Sequence, residues 1–146
     1  MSTVALNKVL NVREREKDDA QKAYNLAIKS FEDVATHLYT LLRKKEEAEE
    51  IYESSFSEPT PIDRIKQQVA YIENLSQKIV VLQQQVQKAR SEMERQHGML
   101  TAAHVEVKKF EKIIETRLKT EEELERKQEE AFLDEISIQQ YLSRVN

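Results

Sequence analysis

The sequence has no cysteine, no tryptophan, one glycine and two prolines in 146 residues. Average usage would put roughly ten glycines and seven prolines in a chain of this length. Tight turns and hairpins draw on those residues, so the shortage excludes an all-β or α/β domain and leaves long helices. The lack of cysteine removes disulfides, thiolate catalysis and cysteine-based zinc sites, and it fits a cytosolic, reducing compartment better than secretion. A single glycine leaves no dinucleotide-binding loop and no phosphate-cradling P-loop, so neither nucleotide hydrolysis nor a cofactor is expected and the chain reads as a non-enzyme. Hydrophobic residues make up 39% and aromatics 6%, enough for a stripe along each helix rather than a broad core, which implies an elongated molecule.

Long apolar runs are missing too. The segment Met1 to Leu10 has no continuous apolar stretch of signal-peptide kind, and no run approaches the ~20 apolar residues of a membrane span. Membrane contact is therefore expected only through protein partners. The 23 basic residues are outnumbered by 27 acidic ones, a net charge of −4, which argues against nucleic acid as a partner.

The sequence has one clear turn, Ser54-Ser55-Phe56-Ser57-Glu58-Pro59-Thr60-Pro61. Thr60 reads as an N-cap before Pro61 at the first helical position, with Asp63 helping to cap. Ahead of the turn two heptad series interleave: Leu10, Lys17, Tyr24, Phe31, Leu38, Lys45, Tyr52 and Leu6, Arg13, Ala20, Ala27, Val34, Leu41, Ala48. After it run Ile65, Ile72, Ile79, Val86, Met93, Leu100, Val107, Ile114 and Gln68, Leu75, Leu82, Ala89, Gln96, Ala103, Phe110. A short connection makes amphipathic helices antiparallel neighbours, so the two seams are expected to close on each other as a coiled-coil hairpin.

The expected fold is thus all-α, a single domain over 1–146, with helix one at about 3–54, a turn at 55–60 and helix two at about 61–142. At ~1.5 Å per residue the first helix is roughly 75 to 80 Å long and the second roughly 120 Å. Folding about an apex near Ser57 sets residue 3 opposite residue 111, leaving helix two unpaired beyond about 112. The same register brings Arg13 and Lys17 toward Gln96 and Leu100. From Glu115 onward nine acidic groups face five basic ones, so the net charge belongs to this overhang. It also carries Leu118, Leu124, Phe132, Leu133, Ile136, Ile138, Tyr141 and Leu142, more apolar residues than a solvated helix requires, which calls for a partner or self-association.

His97 and His104 are two turns apart, farther than the spacing of a helical zinc pair, and read as solvated or packing residues. Runs such as Asp18-Asp19 and Glu121-Glu122-Glu123 read as solvated faces, because adjacent helical residues do not converge. Gly98 marks either a kink or close approach, or a tolerated weak point. The polar seam residues Arg13 and Lys17 either fix register or face a partner.

The segment Leu10-Asn11-Val12-Arg13-Glu14-Arg15-Glu16-Lys17-Asp18-Asp19-Ala20 resembles FliJ proteins of the bacterial flagellar export apparatus. The resemblance continues through Tyr71-Ile72-Glu73-Asn74-Leu75 with Ile79, Glu106-Val107-Lys108-Lys109-Phe110-Glu111-Lys112 and Asp134-Glu135-Ile136-Ser137-Ile138. The last two blocks are most similar to Bacillus-type members. The four blocks, in order and at this chain length, carry the likeness, since heptads are shared by many coiled coils.

The resemblance implies an antiparallel coiled coil similar to the γ stalk of rotary ATP synthases. It would insert into the flagellar export ATPase ring, contact the membrane export gate FlhA and bind export chaperones, at the inner face of the cell membrane at the flagellar base. By the same resemblance the ATPase surface maps onto Arg13, Glu16, Lys17, Asp18, Asp19 and Ala20. Gate contacts map onto Tyr71 and Leu75, with Leu41 opposite, and Lys78 and Leu82 continue that face. A stiff two-stranded coil suits a coupler that touches several subunits. The alternative is a structural or prefoldin-like coiled coil, but a prefoldin needs β-hairpins that Ser54 to Pro61 does not offer.

Overall fold

The computed structural model describes residues 2–145. The fold is all-α, two long helices packed against each other as a coiled-coil hairpin: α1, Thr3–Ser54, and α2, Ile62–Val145. Among the described residues there is no strand, and so none of the β-hairpins that a prefoldin-like assembly requires. Ser2 caps α1: its hydroxyl accepts from the Ala5 N–H at 3.2 Å and its carbonyl from the Leu6 N–H at 3.0 Å.

The turn departs from expectation at Thr60. The Pro61 carbonyl accepts the first bonds of α2, from Arg64 at 3.1 Å and Ile65 at 3.3 Å, so Pro61 stands at the cap and Thr60 one residue outside. The Thr60 hydroxyl instead donates to the Ser55 carbonyl at 2.9 Å, satisfying an acceptor left over where α1 ends. The Ser55 hydroxyl donates to the Tyr52 carbonyl at 2.6 Å in the same place.

The chain divides into two compact units, and each is held by the seam that the heptads define. One unit comprises residues up to Asp18 with those from Ala102 onward; the other is Asp19–Thr101. Every member of the heptad series from Leu6 to Tyr52 and from Ile65 to Ile114 is buried or half-buried. In the second unit Leu41, Ala48, Leu75, Ile79 and Leu82 form the buried cluster, with Val34, Leu38 and Ile72 packed against it. In the first unit the buried side chains are Leu6 and Val107.

Both units are antiparallel in a register about one heptad beyond the expected one. In the second unit Tyr24 lies against His97, ring centroids 5.2 Å apart, and the Arg90 guanidinium sits 5.7 Å from the centroid of Phe31. In the first unit Arg13 meets Glu106 and Phe110 rather than Gln96 and Leu100. The Thr3 hydroxyl reaches Glu121 at 3.4 Å, so contacts extend past residue 112. The physical reason is that a slip of seven residues returns every seam position to the seam. Periodicity therefore cannot choose between these registers, and the turn does. From Leu118 to Glu135 every residue is exposed, and among the described residues that follow Ile136 alone is half-buried.

Gly98 lies within unbroken helix, and a Cβ built there meets nothing within 4 Å. It is no close-approach position, and a side chain there would meet open space.

Candidate functional site

Two regions carry the residues singled out from the sequence. On α1, Arg13 to Ala20 cover just over two turns. Arg13, Glu16, Lys17 and Asp18 belong to the first unit, Asp19 and Ala20 to the second. Glu16, Asp18 and Asp19 are exposed, whereas Arg13, Lys17 and Ala20 are half-buried.

Arg13 is engaged by its own chain. One terminal nitrogen of its guanidinium donates to both carboxylate oxygens of Glu16, at 3.1 and 3.0 Å. The group lies 5.8 Å from the Phe110 ring centroid, and Nε is buried without a hydrogen-bond partner, 3.9 Å from a Glu106 oxygen. A cation over an aromatic face, flanked by two carboxylates, is a register-fixing arrangement. Of the two roles open to this seam arginine, the geometry supports the first.

The second region lies wholly within Asp19–Thr101. Leu41 and Leu75 are 7% and 3% exposed and belong to the buried cluster, so neither presents a surface to a partner. Tyr71, one turn before Leu75, is 48% exposed. It borders a shallow groove lined also by Lys44, Glu47, Ala48, Ile51 and Gln68, in which Ile51 is 58% exposed. The groove continues between His37, Lys44, Gln77, Lys78, Val81 and Gln85, over a floor of Leu41 and Leu82. Gln68 Oε1 is buried without a hydrogen-bond partner.

Among the described residues no group of three or more His, Cys, Asp or Glu side chains is placed to hold a metal ion. Among these residues no helix is long and apolar enough to cross a membrane. The carboxyl group of clearest electrostatic interest, Glu92, is on the surface. The Arg95 guanidinium donates two bonds to it, at 2.8 and 3.1 Å, and the Gln96 amide a third at 2.8 Å. These donors, Arg95 first, lower its pKa to about 2. All three groups lie within one turn of one helix, an arrangement that ties down a surface side chain and makes no catalytic pair.

A family profile described as Flagellar FliJ protein matches residues 1–146. The chain belongs to the FliJ family. Flagellar FliJ protein of Bacillus subtilis (strain 168) is 31% identical over 135 residues, which cover 92% of each of the two chains. No solved structure matches the chain.

Within this family member, sequence reasoning named Tyr71, Lys78, Leu41 and Leu82 of the groove but missed the rim that α1 gives it. His37, Lys44 and Ile51 had a signal of their own, a seven-residue spacing that runs beside the seam of α1. Tyr71, Lys78 and Gln85 repeat it on α2. Flanking series of this kind are visible in a sequence only once the register says which of their members face one another.

Proposed function

We propose that this FliJ-family chain is a non-enzymatic coupler in the bacterial flagellar type III protein export apparatus. It binds the export ATPase ring and the membrane export gate FlhA, and it interacts with export chaperones at the inner face of the cell membrane. The observation that carries this reading is the match to the FliJ family along the whole sequence. The exposed residues Glu16, Asp18 and Asp19 supply the ATPase-facing charge, with Arg13, Lys17 and Ala20 shaping the helix surface beside them. Tyr71 is the gate-facing anchor, while Leu41 and Leu75 act beneath it by holding the two helices together.

The geometry supports such a role. Two packed helices expose the positions on either side of their seam, so partners are met by surface strips and no deep pocket is required. The test uses the purified protein with its cognate export ATPase. Saturating amounts are expected to raise both the hydrolysis rate and the oligomer fraction, because a partner that touches several subunits favours their assembly by mass action. Unchanged hydrolysis and assembly would overturn the ATPase half of the proposal. Binding to the cytoplasmic part of the gate, measured separately, tests the other half.

A further inference from the structure

The two flanking series of the second unit contain a charge arrangement that the fold does not need. In the register that sets Tyr24 against His97 and Phe31 against Arg90, Ile51 faces Tyr71, Lys44 faces Lys78 and His37 faces Gln85. The groove linings agree. Lys44, Ile51 and Tyr71 border one stretch, where Glu47 is the one lining carboxylate, and His37, Lys44, Lys78 and Gln85 border the next.

Positions that flank a coiled-coil seam ordinarily bring opposite charges together, and like charges there weaken the pair. Here two ammonium groups border one groove. Among the described residues neither Lys44 nor Lys78 forms an ion pair, and no carboxylate lines the stretch that both border. Beneath them the floor is apolar, made by buried Leu41 and Leu82, and Val81 at the rim is 52% exposed. A cationic rim over an apolar floor is complementary to an acidic, amphipathic segment. Apolar anchors spaced along the groove, with Tyr71 and Val81 ten residues or about 15 Å apart on α2, suit a helix laid along it rather than a phosphate or a nucleic acid strand.

We propose that this groove accepts an acidic amphipathic helix of the export gate, with a carboxylate seated between Lys44 and Lys78 and apolar side chains against Val81, Ile51 and Tyr71. The inference rests on the gate-binding reading above and adds the chemistry of the partner. His37 supplies a further ring N–H donor at the end of the groove.

The test measures binding of the cytoplasmic part of the gate to the full chain over a range of salt, for the unaltered protein, Lys78→Glu and Tyr71→Ala. Lys78→Glu is a clean variant: the residues three and four positions away are Asn74, Leu75, Val81 and Leu82, none of them charged. The new carboxylate faces Lys44, so the thermal midpoint is expected to stay the same or rise. Affinity is expected to fall about tenfold, and the salt dependence seen with the unaltered chain to flatten. If Tyr71→Ala loses binding while Lys78→Glu keeps both affinity and salt dependence, the acidic-helix proposal is overturned and the gate reading stands. If both variants bind as the unaltered chain does, or if the unaltered chain does not bind, both ideas fall. Self-association of the chain that Lys78→Glu disperses would assign the groove to a second copy and likewise overturn the proposal.

Discussion

Leu75 and Tyr71 lie one helical turn apart, yet their truncations are expected to fail in different ways. Leu75 is 3% exposed inside the cluster of Leu41, Ala48, Ile79 and Leu82. Leu75→Ala removes three carbon groups at about 0.8 kcal/mol each, close to 2.4 kcal/mol. The cavity penalty adds little, because a two-stranded seam opens to the groove at its side and can relax or admit water. An unfolding entropy of about 2.1 cal/mol/K per residue gives about 0.3 kcal/mol/K for the 146-residue chain. The midpoint should therefore drop by about 8 °C.

Tyr71 stands outside the buried cluster at 48% exposure. Replacement by alanine loses part of its contact with the groove but gains up to ~0.5 kcal/mol of helix propensity. Its midpoint should move by no more than about 2 °C. The assay pairs helix melting by circular dichroism with titration of the gate's cytoplasmic part. Tyr71→Ala should melt like the unaltered chain and bind at least about tenfold more weakly. Leu75→Ala should melt early, and any loss of binding should shrink on cooling well below its midpoint. A midpoint that is unchanged in Leu75→Ala would refute the packing argument. Equal destabilisation by the two changes would refute the separation of roles.

Gly98→Ala should raise the midpoint by about 2 to 3 °C, since the added methyl meets open space and a helical glycine costs about 0.5 to 1 kcal/mol against alanine. A lower midpoint would point to a bend that the chain needs. Arg13→Glu should destabilise the chain by on the order of 1 kcal/mol, because a third carboxylate then joins Glu16 and Glu106 and Phe110 loses its cation. An unaltered melt, with ATPase binding lost, would return Arg13 to a purely partner-facing role. The Glu92 carboxyl is held low in the folded chain, so its contribution is present above pH about 4.5 and is lost as pH falls toward about 2. The stability gap between the unaltered chain and Glu92→Gln, small because the pair is exposed, should therefore narrow between pH 5 and pH 2.5, as read from urea melts; a constant gap would refute the assignment.

The fold was legible because a coiled coil writes its core at a fixed interval. Leu41, Ala48, Leu75, Ile79 and Leu82 could be named as seam residues from spacing alone, and they form the buried cluster of the second unit. Register was not legible, for the same reason. The heptad repeats after seven residues, so Arg13 opposite Leu100 and Arg13 opposite the Glu106 to Phe110 stretch satisfy the seam equally well. What separates them is local: the Pro61 carbonyl starts α2, and the Thr60 hydroxyl closes back on Ser55. Neither bond leaves a periodic trace. The candidate site was legible in part. Tyr71 came from a family resemblance, but the same resemblance named Leu41 and Leu75, whose side chains are turned into the core.

That difference follows from how a two-stranded coil divides its residues. Seam positions are chosen for packing, and a partner-binding role added there must compete with a loss of about 2 kcal/mol or more when the residue changes. Positions just beside the seam carry no such burden, yet they are close enough to share its apolar floor. A residue there that weakens the pairing of the helices is therefore informative: the fold gives no reason for it, and local rules are most often broken at functional positions. Lys44 facing Lys78 is such a case, since a glutamate at either position would pair the helices better. Tyr71 facing Ile51 is another, because two large apolar side chains remain about half exposed where charged residues would keep the surface soluble. The two exceptions are adjacent layers of one groove, with Lys44 bordering both stretches. One occupant that is acidic in one layer and apolar in the next accounts for both.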